Sequence, residues 1–284
     1  MQEITAKVIE HSQFEDKHII SVETRAPKFL DAEIEKHRMI SSNSSSDRAI
    51  PFNRMKEIEP YTPSDIRLNE SGMQGFDKLP DDKHKFFAAD VAAMHNYILS
   101  TLELLDSGYN IHKQHLNRYL LPFSMQTKIM TATTNEWDYF FNLRLHEAAD
   151  PAIQELAYKI QFAIDNSEPN ELKEDAWHLP YITKDDKDTQ DTETLLKVSA
   201  ARCARTSYKD RQGRMSSVKE DLKLFERLTG SDPKHLSPLD HQAKPILNTN
   251  KLSDRGITRM NKDLSFGSGN FNNWIQFRHW YLQN

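Results

Sequence analysis

The segment from Asp82 to Ser107 constrains the fold most strongly. Its apolar residues Phe86, Val91, Met94, Ile98, Leu102 and Leu105 recur at helical spacing, and Gly108 follows as a stop signal. A helix of that length needs a sizeable core to lie on. Two short β-branched runs near the start, Ala6 to Glu10 and His18 to Glu23 (HIISVE), predict a pair of strands joined by a polar turn. After Pro27 the run FLDAEIEKHR predicts a short helix that ends on His37 and Arg38. Further helices are predicted in HKQHLNRYLLP, in NEWDYFFNLRL, and from Asp150, where Asp-Pro supplies an N-cap and a preset first-turn φ. Ser217 and Glu220 have the spacing of a capping box ahead of DLKLFERL. Strands and helices so mixed predict an α/β (α+β) chain with a small sheet and a helical body, as one domain over residues 1–284. Residues 167–194 and 247–270 are polar and read as surface excursions from that domain.

Composition narrows the function. The 284 residues carry a net charge of −5, and the pI is near 6.2. That balance argues against general nucleic-acid binding, which needs a basic surface. No apolar run reaches the length of a membrane span, and MQEITA opens without a secretory signal, so a cytoplasmic enzyme with no membrane partner is expected. A single cysteine, Cys203, excludes an internal disulfide framework.

The stretch HRMISSNSSSDRA, His37 to Ala49, poses the functional question. Its serines suggest a linker, but Lys36, His37 and Arg38 stand before it and Arg48 near its end. Small hydroxyls let a ligand approach the backbone closely, and bracketing cations suit anionic oxygens, so a pocket wall is the better reading. Such hydroxyls and guanidinium groups together can hold a phosphate. A nucleophilic Ser46 lacks an oriented base nearby in sequence, since the adjacent Asp47 is not expected to share its direction and His37 is nine residues away. Cys203 reads as a buried small hydrophobe rather than a thiolate, although Arg202 and Arg205 flank it. His112 and His115 lack a third ligand at matching spacing, and no metal site is expected. The aromatic run Trp137, Tyr139, Phe140 and Phe141 reads as core.

The pattern of His37, Arg38, Ser41, Asn43, Ser46 and Arg48 resembles the RHRxxSxNExSxRY signature of the flavin-dependent thymidylate synthases. Lys36, Ser44 and Ala49 depart from it. Other segments agree: NRYLLPFSMQT, FFNLRL followed by ADPAIQELA (with Asp150 and Ala152 replacing a Gln and a Glu), AARCARTSY and HLSPLDH resemble further pieces of the family's pattern. The last two stand near the C-terminus here and ahead of the RHR signature in the family, so the order looks circularly permuted, which is tolerable where old termini lay together at the surface.

The resemblance implies an FAD-dependent transfer of a one-carbon unit from methylenetetrahydrofolate to C5 of dUMP, with NADPH as the reductant, in a homotetramer. It places Arg144 on the nucleotide, whose phosphate would use Ser46 with Arg48, Arg118 and Arg144, and assigns Lys36, His37, Arg38, Asn43, Ser207 and His241 to FAD, with Arg144 and His241 nearest the chemistry. A hydroxymethylase of dUMP or dCMP on the same fold, or a noncatalytic nucleotide-binding homologue, are the alternatives. If HLSPLDH and the serine-rich segment serve one flavin, residues about 190 positions apart must converge. The C-terminal run NFNNWIQFRHW should then pack beside the first strand, with Gln276 and Arg278 near the pocket or simply at the surface.

Overall fold

Strand β1 (Thr5–Phe14) turns tightly at Glu15, which takes a left-handed φ of 54°, and returns as β2 (Lys17–Pro27). This is the hairpin expected from the two β-branched runs, longer at both ends. The protein is described by a computed structural model covering residues 2–44, 48, 50–72, 75–205 and 216–283. After β2 comes the short helix α1 (Asp31–Ile34), then a turn that carries Lys36 to Arg38, then β3 (Ser41–Ser44). The described part of the serine-rich segment is therefore an edge strand. A linker would leave its backbone groups to solvent, whereas β3 pairs antiparallel with β4 (Met125–Thr133), Ser41 opposite Thr131.

Between these strands lie α2 (Phe52–Met55), the long α3 (Asp81–Tyr109), α4 (Lys113–Leu116) and a 3-10 turn from Asn117 to Phe123. β4 leads into α5 (Thr134–Arg144) and α6 (Pro151–Asp165). Asp150 caps α6 by accepting from Ala152 N at 2.9 Å, with Pro151 in the first turn. β5 (Asn170–Glu171) completes a sheet ordered β3-β4-β2-β1-β5, antiparallel except for β1 with β5. The C-terminal part adds α7 (Lys184–Thr189), α8 (Thr192–Ala204), α9 (Val218–Gly230), β6 (Ala243–Pro245), β7 (Arg259–Met260), β8 (Phe266–Ser268), β9 (Phe271–Asn272), β10 (Trp274–Gln276) and α10 (Phe277–Leu282). The Ser217–Glu220 capping box of α9 is formed in both directions.

Strand periodicity divides the sheet into two covered faces. Ile20, Val22, Met130 and Ala132 point to one side and pack against Trp137, Phe140 and Phe141 of α5 and Ile153, Leu156 and Ile160 of α6. Ile19, Ser21 and Thr131 point to the other, where the C-terminal part covers them. There Ile19 packs with Ala243, Phe271 and Trp274, so the C-terminal run does lie beside the hairpin.

Two expectations change. The stretch 167–194 is no mere surface excursion: His178 is fully buried and Leu179 and Ile182 join the cluster under α8 and α9. Its burial depends on distant partners, Ser12 and Ser21, which no local pattern reveals. In α3, Leu102 is buried, and Ile98 and Leu105 pack beside it on Phe52, Met55, Leu116 and Leu120, whereas Phe86 and Met94 are exposed. Both helix faces carry apolar residues, so periodicity alone does not choose between them.

Candidate active site

The turn after α1 is closed by His37 N donating to Ile34 O at 3.0 Å and Ile40 N donating to His37 O at 2.9 Å. It sets the His37 ring edge-on to Phe140 of α5, with centroids 4.8 Å apart, and 6.0 Å from Tyr139. At the end of the same helix, Arg144 Nε donates to His37 Nε2 at 2.9 Å. Arg144 also donates to the Glu33 carboxylate at 2.7 Å and to the Glu33 carbonyl at 3.0 Å. Arginine has no acceptor, so His37 carries its proton on Nδ1. Burial, with the Arg144 charge beside it, pushes the His37 imidazole down to about 4, and the ring is neutral at pH 7. Three of the five guanidinium N–H groups are committed, which leaves two for a ligand.

Two clefts adjoin this cluster and share Lys36. One, of about 390 Å³, is lined by Lys36, His37, Arg38, Glu136 and Tyr139 among others. The second, of about 470 Å³, is lined by Glu33, Lys36, Arg144, His146 and Asp150 among others. Lys36 and Arg38 are exposed at the rims. Tyr139 is likewise exposed, unlike the rest of its aromatic run, because it sits on the cleft side of α5 while Trp137, Phe140 and Phe141 enter the core. Glu136 is tied to Asn272 Nδ2 at 3.1 Å, and burial raises its carboxyl against the opposing charge of Arg259. Cations at both rims, a neutral imidazole with a spare N–H and an exposed ring are groups that suit a phosphate-bearing aromatic cofactor.

The opposite face of the sheet holds a second group. Asn43 Nδ2 donates to Cys203 O at 3.0 Å, and Ser237 Oγ donates to Asn43 Oδ1 at 3.1 Å. Ser41 Oγ accepts from Gln276 Nε2 at 3.1 Å and from Asn270 Nδ2 at 3.2 Å. The serine-rich strand and HLSPLDH thus meet in one chain. Gln276 is buried here, also donating to Asp240 O, and Arg278 pairs with the Asp240 carboxylate at 3.0 Å. His241 is fully enclosed. Its Nδ1 lies 2.9 Å from Thr131 Oγ1, at the end of a buried chain that runs Ser12, His178, Ser21, Thr131, His241. Burial lowers the His241 imidazole to about 3, and its Nε2 is buried without a partner among the described residues. Phe140 fixes His37 to one face and Thr131 fixes His241 to the other, so the sheet stands between the two histidines.

The remaining residues sit elsewhere. Arg118 is exposed on the 3-10 turn, and its neighbour Asn117 donates to Ile50 O at 2.9 Å, two residues from the exposed Arg48. Ser46, Ala49 and Ser207 lie outside the described residues. His112 Nδ1 accepts from Gln114 N at 3.3 Å and caps α4, and the His115 ring meets the Gln114 amide at 3.2 Å. Glu33 escaped the sequence reading, although an acid four residues before His37 on a short helix is a usable signal. Nothing local pointed to His178.

A sequence model described as thymidylate synthase complementing protein matches residues 3–170, which include β1 to β4, α1 to α6, Lys36 to Arg38, Arg48, Arg118 and Arg144. No curated protein matches the chain. Among solved structures it is similar to the UMP/dUMP methylase PolB from Streptomyces cacaoi bound with 5-Br UMP. That likeness is 18% identity over 58% of this chain and 89% of that one, with a TM-score of 0.45. It is also similar to Thymidylate Synthase X from Helicobacter pylori with FAD and dUMP, at 21% identity over 51% and 67% and a TM-score of 0.35. The family match spans more than half of the 284 residues and takes in both walls of the Arg144 cluster. The chain belongs to the thymidylate synthase complementing protein family, that of the flavin-dependent thymidylate synthases.

Proposed function

We propose that the chain binds FAD and transfers a one-carbon unit from methylenetetrahydrofolate to C5 of dUMP, with NADPH as reductant, to give dTMP. The observation that carries the proposal is Arg144, held by Glu33 and His37 where two cation-rimmed clefts adjoin, in a chain of this family. FAD, when bound, supplies the hydride chemistry that completes a methyl group. Lys36, Arg38 and the His37 Nδ1–H hold the cofactor's phosphate and polar edges, while Asn43, on the other face of the sheet, ties β3 to the C-terminal part through Cys203 and Ser237. Arg144 presents its two spare N–H groups to the nucleotide, and Ser46, Arg48 and Arg118 bind the phosphate. The His37 bond keeps the guanidinium plane fixed while a ligand arrives, which lowers the ordering cost of binding. His241, enclosed and bonded to Thr131, acts as a positioning residue that sets β4 against the C-terminal part.

Titration of the purified chain with FAD, followed by dUMP turnover with methylenetetrahydrofolate and NADPH, tests the proposal. Saturable flavin uptake and FAD-dependent dUMP consumption are expected. A chain that stays colourless and gains no flavin contradicts the proposal and favours a noncatalytic role.

A further inference from the structure

Helix α3 is apolar on two sides. Its inner face carries Leu102, Ile98 and Leu105 onto the core. Its outer face carries Phe86 at 62%, Tyr97 at 75% and Leu104 at 72% exposure, with Ala93 and Ser100 between them. Residues 86, 93, 97, 100 and 104 follow the alternating three- and four-residue steps of a helix-pairing seam, and only Asp90 interrupts it with a charge. A stripe of large exposed apolar side chains this long marks an interaction face.

The seam is complementary to its own reversal. Phe86 and Leu104 are 18 residues apart, five full turns at 3.6 residues per turn, so they share one azimuth. Lys85 and Glu103 are also 18 apart and share the adjacent flank. In an antiparallel pair centred on residue 95, Phe86 meets Leu104 of the other copy, Ala93 receives Tyr97, and Lys85 lies beside Glu103. Ala93 and Tyr97 set small against large, and Lys85 lies two residues from the position facing Glu103, within reach of a long side chain, on both sides of one two-fold axis. That self-complementarity is what an isologous contact requires, and an unrelated partner would have no reason to impose it. Glu103 already pairs with Lys56 of its own chain at 3.0 Å while remaining half exposed, so a second cation can reach it.

We propose that the outer face of α3 is the contact between two copies of this chain, packed antiparallel about residue 95. This gives the multichain assembly implied by the family resemblance a specific surface, and it does not depend on the reaction proposed above. Light scattering on the full-length chain reads it directly, while flavin uptake is followed separately. The native chain should be a dimer or a larger even-numbered assembly. Tyr97→Glu with Leu104→Glu should halve its mass and leave its circular dichroism spectrum unchanged. A monomeric native chain, with the face serving some other partner, overturns the proposal, as does a folded variant of undiminished mass. If the charged variant does not fold, Ala93→Cys with Tyr97→Cys decides. Oxidation should give a covalent dimer through 93-to-97 links, with buried Cys203 taking no part, and failure to cross-link overturns the proposal.

Discussion

Arg144 Nε donates to His37 Nε2 at 2.9 Å, so a permanent cation determines which nitrogen of the imidazole bears the proton. The same contact disfavours a second proton. His37 therefore resists protonation, first through burial and then through the Arg144 charge. In an NMR pH titration, the His37 ring should stay neutral down to about pH 4. Arg144→Ala should move its midpoint upward but keep it below the ordinary histidine value, because the burial remains. An unchanged midpoint in the variant would break the link between the two residues.

The same group links stability to pH. The folded His37 value, about 4, lies below the unfolded value near 6.5. The unfolded chain therefore binds more protons between those limits, and His37 contributes stability above pH 6.5 that is lost as pH falls toward 4. His178 and His241, both lowered to about 3 by burial, act in the same direction. Urea midpoints should fall steadily from pH 7 to pH 5, with a shallower slope in His241→Gln. A midpoint that rises with acidity would contradict the burial of these rings.

Nucleotide affinity should depend on the arginines more than flavin affinity does. Arg144→Ala and Arg48→Ala each remove a charge-assisted contact of about 1.5 to 3 kcal/mol, roughly a 10- to 150-fold weakening of dUMP binding by calorimetry. Flavin retention should barely change. Loss of FAD with intact dUMP affinity would reverse the two assignments.

Beneath α8 a buried charge cluster holds the C-terminal part. The Asp221 carboxylate, fully buried, accepts from Arg202 Nε at 2.9 Å and Arg205 Nη1 at 3.1 Å, and Arg202 also reaches Asp186 at 2.6 Å. Asp221→Ala leaves two guanidinium groups short of a partner and should cost about 3 to 5 kcal/mol by denaturant unfolding. A loss within 0.5 kcal/mol, typical of a surface change, would show that the cluster is not closed as described.

Cys203 is fully buried, and burial raises its thiol well above the ordinary range. A thiol reagent should label it only in denaturant, and Cys203→Ser should retain substantial turnover. Abolished activity in a folded, flavin-loaded variant would require a thiolate mechanism instead.

Local chemistry made much of this legible. The hairpin, the Asp150 and Ser217 caps and the body of α3 follow from short-range patterns, although α3 runs through Gly108 and ends at left-handed Asn110, and the meeting of Asn43 with Ser237 follows from placing both segments at one site. What depended on distant partners was hidden. The buried course of His178 has no signature within its own segment, whereas helical spacing already sets Tyr139 off the face shared by Trp137, Phe140 and Phe141; Phe86 and Tyr97 differ from Leu102 only in what lies opposite them. The separation of His37 from His241 by the sheet likewise rests on tertiary contacts, His37 with Phe140 and His241 with Thr131.

Mass analysis of the products formed from dUMP and dCMP with methylenetetrahydrofolate, FAD and NADPH tests the central claim most directly. The account predicts that dUMP, and not dCMP, gains one methyl group, and only when FAD is present. A hydroxymethylated product, modification of dCMP in place of dUMP, or an unchanged nucleotide with flavin bound would contradict it.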